Sequence, residues 1–292
     1  MNPIFRSTLV LAAGSVFASG CAPDRPDQLP QVLGQAELAV LTSSDDSFGW
    51  DIEVLDISGN LIEHIDVDLD QAVSLTHQGE GTFLVSDGVD ILRVSPDGDV
   101  ERFNEEPMPS VVYRMNITDD DEVTIAEEYD VTKLDEEGNL LEHTVVPGNE
   151  FCWMDAAPGT VSGGGDALLD IFGPTLATWN ESDDSFDIVA ANFASGASIL
   201  GRDHVGNYYA GSTWDSEITR VSSSGQSTRL SGIDELGLGI YGVSAIEPAG
   251  AGQMLVLYDG ERGSGIVRID SSGNAEPVVE AGGRVWLDMV TY

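Results

Sequence analysis

An all-β fold, a six-bladed β-propeller of four-stranded antiparallel blades closed by its C-terminal strand, is what this sequence predicts. Three observations carry the prediction. A strand–turn unit recurs six times at a period of about forty residues, the signature of stacked sheet repeats. No long 3.6-residue periodicity competes with it. The last eight residues form a lone strand that matches one missing from the first unit.

The unit is plainest over Gly81–Phe103, which reads as strand Thr82–Ser86, an Asp87–Gly88 turn, strand Ile91–Val94, a turn over Ser95–Gly98 and strand Val100–Phe103. Its second hairpin recurs as I-E-V-L-D-I-S-G (52–59), I-L-R-V-S-P-D-G (91–98), V-T-K-L-D-E-E-G (131–138), L-A-T-W-N-E-S-D (176–183), I-T-R-V-S-S-S-G (218–225) and I-V-R-I-D-S-S-G (266–273). The last apolar residues, Leu55, Val94, Leu134, Trp179, Val221 and Ile269, are spaced 39, 40, 45, 42 and 48 apart. The Asp, Ser or Asn that follows can bond its own turn backbone, and glycine takes positive φ without a Cβ clash. Asp183 replaces that glycine in the fourth copy, and Asp tolerates the left-handed region next best.

Upstream of each hairpin lies a second one, clear in Arg114–Glu127 and Ser198–Ser212. Blade four is less regular: strand Trp153–Ala157, a Pro158-Gly159 turn, strand Thr160–Gly163, then a long Gly-rich loop to Pro174. The first unit begins with Glu37–Thr42, which matches the second strand of the others, so its inner strand is missing. Val285–Tyr292 supplies it, pairing beside the N-terminal strands and removing an open edge.

Composition narrows the partners. The net charge is −39, with one lysine (Lys133), and removing residues 1–20 leaves 11 bases against 51 acids, or −40. Such a field opposes nucleic acid and anionic membrane faces, and it suits a saline or cation-rich medium. Apolar residues at 41% suffice for a core. Two cysteines, Cys21 and Cys152, exclude a disulfide framework.

The chain divides as 1–20, 21–36 and 37–292. Met1–Gly20 has one positive charge, Arg6, and an apolar run from Leu9 to Ala18, the pattern of a cleavable signal peptide. Phe17-Ala18-Ser19-Gly20-Cys21 resembles the lipobox of bacterial lipoproteins, with Ala18 where Leu is usual. The resemblance implies an acylated Cys21. Ala22 stands where an inner-membrane retention signal would place Asp, so the resemblance implies outer-membrane sorting in the cell envelope. Ala22–Gln35, with three prolines, reads as a flexible tether.

The repeats resemble the NHL, SMP-30 (gluconolactonase) and YncE-like propellers. Arg202-Asp203-His204-Val205-Gly206-Asn207-Tyr208-Tyr209-Ala210 is similar to their D-x-x-G-N-x-Y-V repeat. The likeness spans 37–292 and implies a fold rather than an activity. In such propellers the loops between strands two and three share one face with the blade-to-blade connections. Here that face would present Asp45, Asp46, Trp50, Asp87, Asp90, Glu127, Glu128, Asp130, Asp166, Asp170, Trp214, Asp215, Asp259, Glu261 and Arg262. An acidic rim with tryptophans suits a divalent cation such as calcium, or a basic or sugar-like ligand. The same acids equally belong to the excess that covers the whole surface.

SMP-30 lactonases hold one metal through a Glu, two Asn and an Asp in the channel. Only Asn116 and Asp155 fall suggestively on inner strands here. No G-x-S-x-G or P-loop is present. Arg93, Lys133, Arg220 and Arg268 repeat one position before the last apolar residue of strand three, which predicts a structural role pairing acids such as Glu101 and Glu142.

Three functions remain open at this point. The leading one is a non-catalytic, lipid-anchored binding or scaffold module, monomeric, with an envelope protein, small molecule or glycan as ligand. The second is a metal-dependent hydrolase, lactonase or lyase of the SMP-30 kind. The third is a subunit of an envelope complex.

Overall fold

The computed structural model describes residues 37–43, 49–69, 71–117, 121–127, 130–145, 153–157, 167–170, 175–180, 185–194, 196–230, 232–250 and 252–292. Strands β1 (Glu37–Ser43), β2 (Trp50–Asp56) and β3 (Leu61–Leu69) open the chain. A second group follows in β4 (Ser74–Gly79), β5 (Thr82–Ser86), β6 (Ile91–Val94) and β7 (Val100–Arg102). The third is β8 (Val112–Ile117), β9 (Val123–Glu127), β10 (Asp130–Leu134) and β11 (Leu140–Val145). The fourth is β12 (Trp153–Ala157), β13 (Ala167–Asp170), β14 (Thr175–Asn180) and β15 (Ser185–Ala191). The fifth is β16 (Ile199–Arg202), β17 (Tyr208–Ser212), β18 (Asp215–Val221) and β19 (Ser227–Leu230). After a single helical turn, α1 (Gly232–Glu235), come β20 (Ile240–Pro248), β21 (Gln253–Gly260), β22 (Gly263–Asp270), β23 (Ala275–Glu280) and the last strand, β24 (Trp286–Thr291).

Each group is a four-stranded antiparallel sheet in chain order, except that β24 returns to the first, giving the order β24-β1-β2-β3. The first strands of successive sheets touch one another in turn: β24, β4, β8, β12, β16, β20 and back to β24. The molecule is an all-β propeller. Closure occurs where the missing strand placed it, with Leu38 opposite Thr291 and Val40 opposite Met289.

Strand alternation builds the core between sheets rather than inside one. Ala39, Leu41, Ile52 and Val54 pack with Leu75, Phe83 and Val85 of the second sheet. Their neighbours Leu38, Val40 and Leu55 turn the other way and pack with Leu255, Leu257 and Ile266 of the sixth. Covered on both faces, such strands need both alternating sets apolar.

The repeated turn has a defined chemistry. Asp270 Oδ1 accepts from the Ser272 and Asn274 amides (2.8 and 2.9 Å), and Oδ2 accepts from the Asn274 side chain at 2.7 Å. Asp56 and Asp135 do the same in their D-x-x-G-N turns, and Asp203 does so between β16 and β17. Donation by the asparagine side chain, first, and by the backbone holds the Asp56, Asp135 and Asp270 carboxyls below the ordinary value. Glycine is required twice over in this turn. Gly138 has φ +89° and a Cβ there would lie 2.2 Å from the Phe103 carbonyl of the preceding sheet.

The repeated bases fasten neighbouring sheets. Arg93 pairs with Glu101 at 3.2 Å, as expected, and also donates to the Glu136 carbonyl of the third sheet's turn at 2.8 Å. Arg268 pairs with Glu276 (2.8 Å) and donates to the Ile57 carbonyl of the first sheet (3.0 Å). Arg220 donates to the Ser271 carbonyl at 2.5 Å. In each case the acceptor is the residue after the turn-opening aspartate of the next sheet. Lys133 lies opposite Glu142 in the ladder.

Two local expectations need correction. The second strand of the fourth sheet is Ala167–Asp170, within the stretch read as loop; its A-L-L-D run is short enough to be masked by flanking glycines. Thr160–Gly163 lies outside the described residues, as do 1–36, Cys21 and Cys152. The third strand of the Gly81–Phe103 unit ends at Arg102, although the Phe103 amide still donates to the Ile91 carbonyl at 2.8 Å.

Candidate functional site

In an up-and-down sheet the connections alternate ends. The loops between second and third strands therefore share one end of the ring with the links between sheets. Most of the described acids expected to line that end turn out to build it. Asp87 Oδ1 accepts from the Val89 and Asp90 amides (3.1 and 2.8 Å), closing its own turn. Asp90 is ion-paired with Arg102. Asp215 accepts from the Glu217 amide at 2.8 Å. Asp259 accepts from the Ser244 and Ser264 hydroxyls at 3.0 and 2.6 Å.

Glu127 is fully buried rather than presented on the rim. It accepts from the Ser110 amide (3.0 Å) and hydroxyl (2.9 Å), and from Thr132 Oγ1 (2.5 Å), so it pins the link between the second and third sheets. Asp130 faces His143 at 3.9 Å. Trp50 is half-buried against the core shared by the first two sheets. Asp45, Asp46, Glu128 and Asp166 lie outside the described residues. Glu261 and Arg262 are exposed.

Two aromatic side chains are also open on the rim. Trp214, between β17 and β18, is 85% exposed, and Tyr241, at the start of β20, is 60% exposed. They are neighbours in space, because a Cβ on Gly242 would lie 2.1 Å from the Thr213 carbonyl. Across the ring, Val89 and Val111 are also exposed and adjacent: the Met108 amide donates to Val89, and the Val112 amide to Gly88.

Near the centre, charged side chains of three inner strands meet. Arg114 on β8 is buried and forms ion pairs with Asp288 on β24 and with Glu247 on β20, the latter at 2.9 Å. One guanidinium thus joins the third, first and sixth sheets. Asp288 also accepts from the Leu75 amide of β4 (2.7 Å) and from its neighbour Met289 (2.8 Å). Burial pushes the Asp288 carboxyl above its ordinary value, and Arg114 and the two amides pull it part of the way back. The nearby Ser74 hydroxyl accepts from the Met115 amide at 3.1 Å.

Asn116 sits half-buried on β8, two residues from Arg114, and Asp155 is in the middle of β12. Among the described residues, no three His, Cys, Asp or Glu side chains gather in a way that could hold a metal ion. The Arg114–Asp288–Glu247 bridge was not foreseen. Its signal was present: each is the only charged residue of its inner strand.

No family model matches the chain, and no curated protein does. Solved structures match at the level of fold. The chain is similar to virginiamycin B lyase from Staphylococcus aureus, with TM-score 0.57 and 14% identity over 82% of this chain and 86% of that one. It is similar to a streptogramin B lyase, with TM-score 0.59 and 13% identity over 84% of each. A chain of the nidogen/laminin complex has TM-score 0.64 and 8% identity over 88% of this chain and 97% of that one. These likenesses define the class, the β-propellers with four-stranded antiparallel blades.

Proposed function

We propose that the six sheets are the blades of one six-bladed ring, and that this ring is a lipid-anchored, non-catalytic binding or scaffold module of the cell envelope. The observation that carries the reading is the Arg114 bridge. Arg114, Asp288 and Glu247 pair with one another across three sheets, whereas a catalytic channel keeps its polar groups aimed at a substrate. On the loop face, Trp214 and Tyr241 offer flat apolar area with a polar edge beside Asp215 and Glu261. That combination suits an envelope protein, a glycan or a small cationic ligand. Cys21 is the anchor in this reading, and the outer membrane its address.

The test is a photo-crosslinking amino acid in place of Trp214, with the same group in place of Val205, which is 75% exposed at the opposite end, as control. A discrete adduct from position 214 alone is expected in the membrane fraction. Equal adducts from both positions, or none, would overturn the reading. Cys21→Ala should release the chain from the membrane fraction.

A second reading, a lyase or hydrolase, draws on the fold likeness to two lyases. It requires Asn116→Ala or Asp155→Ala to abolish turnover while leaving the fold intact.

A further inference from the structure

The turn that carries Trp214 is held from below while its indole is left in water. The Trp214 amide donates to the Ser212 hydroxyl at 3.1 Å, and the Thr213 amide to the Ser198 hydroxyl at 3.2 Å. Asp215 fixes the start of β18 through the Glu217 amide at 2.8 Å. On the sixth sheet, Gly242 supplies the close approach, since any side chain there would run into the Thr213 carbonyl. The seam sets Tyr241, 60% exposed, beside Trp214, 85% exposed. A fixed backbone presenting two large rings is preorganised for contact, because the ordering cost falls on folding rather than on binding.

Charge selects what those rings can take. Asp215 follows Trp214 in the chain, and a Cβ on Gly239, two residues before Tyr241, would lie 2.8 Å from Glu261 Cγ. Asp234 on α1 accepts from the Ser216 hydroxyl and shares Arg229 with Glu217. These four carboxylates meet only Arg229 and the exposed Arg262 on the same loops, in a chain of net charge −39. An anionic partner is repelled here, and a neutral one gains nothing from the field. A guanidinium gains twice, over a ring face and beside a carboxylate. The chain makes that stacking contact for its own use: Arg202 lies over Tyr208 and Arg93 over Phe103, each with its guanidinium carbon 4.8 Å from the ring centroid. The rings belong to two sheets and the carboxylates to β18, α1 and the β21–β22 turn, a spread wider than one small cation covers.

We propose that the Trp214–Tyr241 seam docks an extended basic segment of a partner protein, its arginines stacked on the two rings and paired with the surrounding carboxylates. The inference rests on the loop face being the binding face, and it names the chemistry of what that face binds.

The probe is a synthetic peptide of alternating arginine and glycine, titrated against the full chain in about 0.5 M NaCl. A Debye length of about 4 Å there screens the diffuse pull of the net charge. Indole emission reads the wild type, because a stacked cation quenches the exposed Trp214, and calorimetry reads the variants. One saturable site per chain is expected. Trp214→Ala and Tyr241→Ala should each weaken it about tenfold. Asp215→Asn combined with Glu261→Gln should weaken it as well, and Val205→Ala at the opposite end should leave it unchanged. All these side chains are exposed, so the fold should be untouched, which circular dichroism checks. Binding that salt abolishes, binding as tight in both ring variants, arginine amide binding as tightly as the peptide, or a neutral oligosaccharide quenching Trp214 in its place would each overturn the proposal. A partner crosslinked at position 214 without any peptide binding would leave the loop face standing as a binding face and remove the basic chemistry assigned to it.

Discussion

Replacing Arg114 by alanine tests the centre of the ring directly. The guanidinium is buried and holds carboxylates from two other sheets, one of which, Asp288, is 1% exposed. Its removal leaves Asp288 facing only two backbone amides, and Glu247 without its ion pair to β8. Removing one partner of a buried ion pair costs about 3–5 kcal/mol, chiefly because the other charge stays buried. At this chain length that is a fall in Tm on the order of 10 °C. Equilibrium urea denaturation would measure it, with the slope unchanged if only the native state is affected. The pH dependence has a defined sign. A carboxyl raised by burial holds its proton more tightly folded than unfolded, so its contribution falls as pH rises through the unfolded value toward the folded one. Without Arg114 that carboxyl rises further, and the variant's deficit should shrink as the solution is acidified. Arg114→Met with Asp288→Leu should recover most of the loss. A single-variant loss below about 1 kcal/mol, or a deficit that grows on acidification, would refute the account.

Two further outcomes follow from the repeated turns. Arg268→Ala removes charge-assisted bonds to Glu276 and to the Ile57 carbonyl across the ring closure; a loss of about 1–2 kcal/mol in urea denaturation is expected, and Arg268→Lys should recover only part of it. Asn274→Ala withdraws the main support of the Asp270 carboxylate, so an NMR titration should find the Asp270 carboxyl raised toward its ordinary value while Asp56 and Asp135 stay put. Because a depressed carboxyl contributes stability above its unfolded value and loses it as pH falls through the folded one, the acid-sensitive part of the stability should shrink in that variant.

What the sequence by itself determined was whatever is local and periodic. Alternation placed β5, β6, β9 and β12, since a strand's two faces follow from a period of two. The D-x-x-G-N turns were legible because both the aspartate's hydrogen bonds and the glycine's positive φ close within five residues. Ring closure by the last strand was legible too, because the first sheet visibly lacked a strand. The structural role of Arg93 and Arg268 followed from their repeated position, but their second acceptors, on the next sheet, did not.

Tertiary structure decided everything that depends on distance between sheets. It turned Glu127 from a rim acid into a buried pin, and it tied Asp87, Asp90 and Asp259 into their own loops. It also brought Arg114, Asp288 and Glu247 together from positions 133 and 174 residues apart in the chain. A charge inside an apolar strand has no partner within its own repeat, and only closing the ring brings one from the far side.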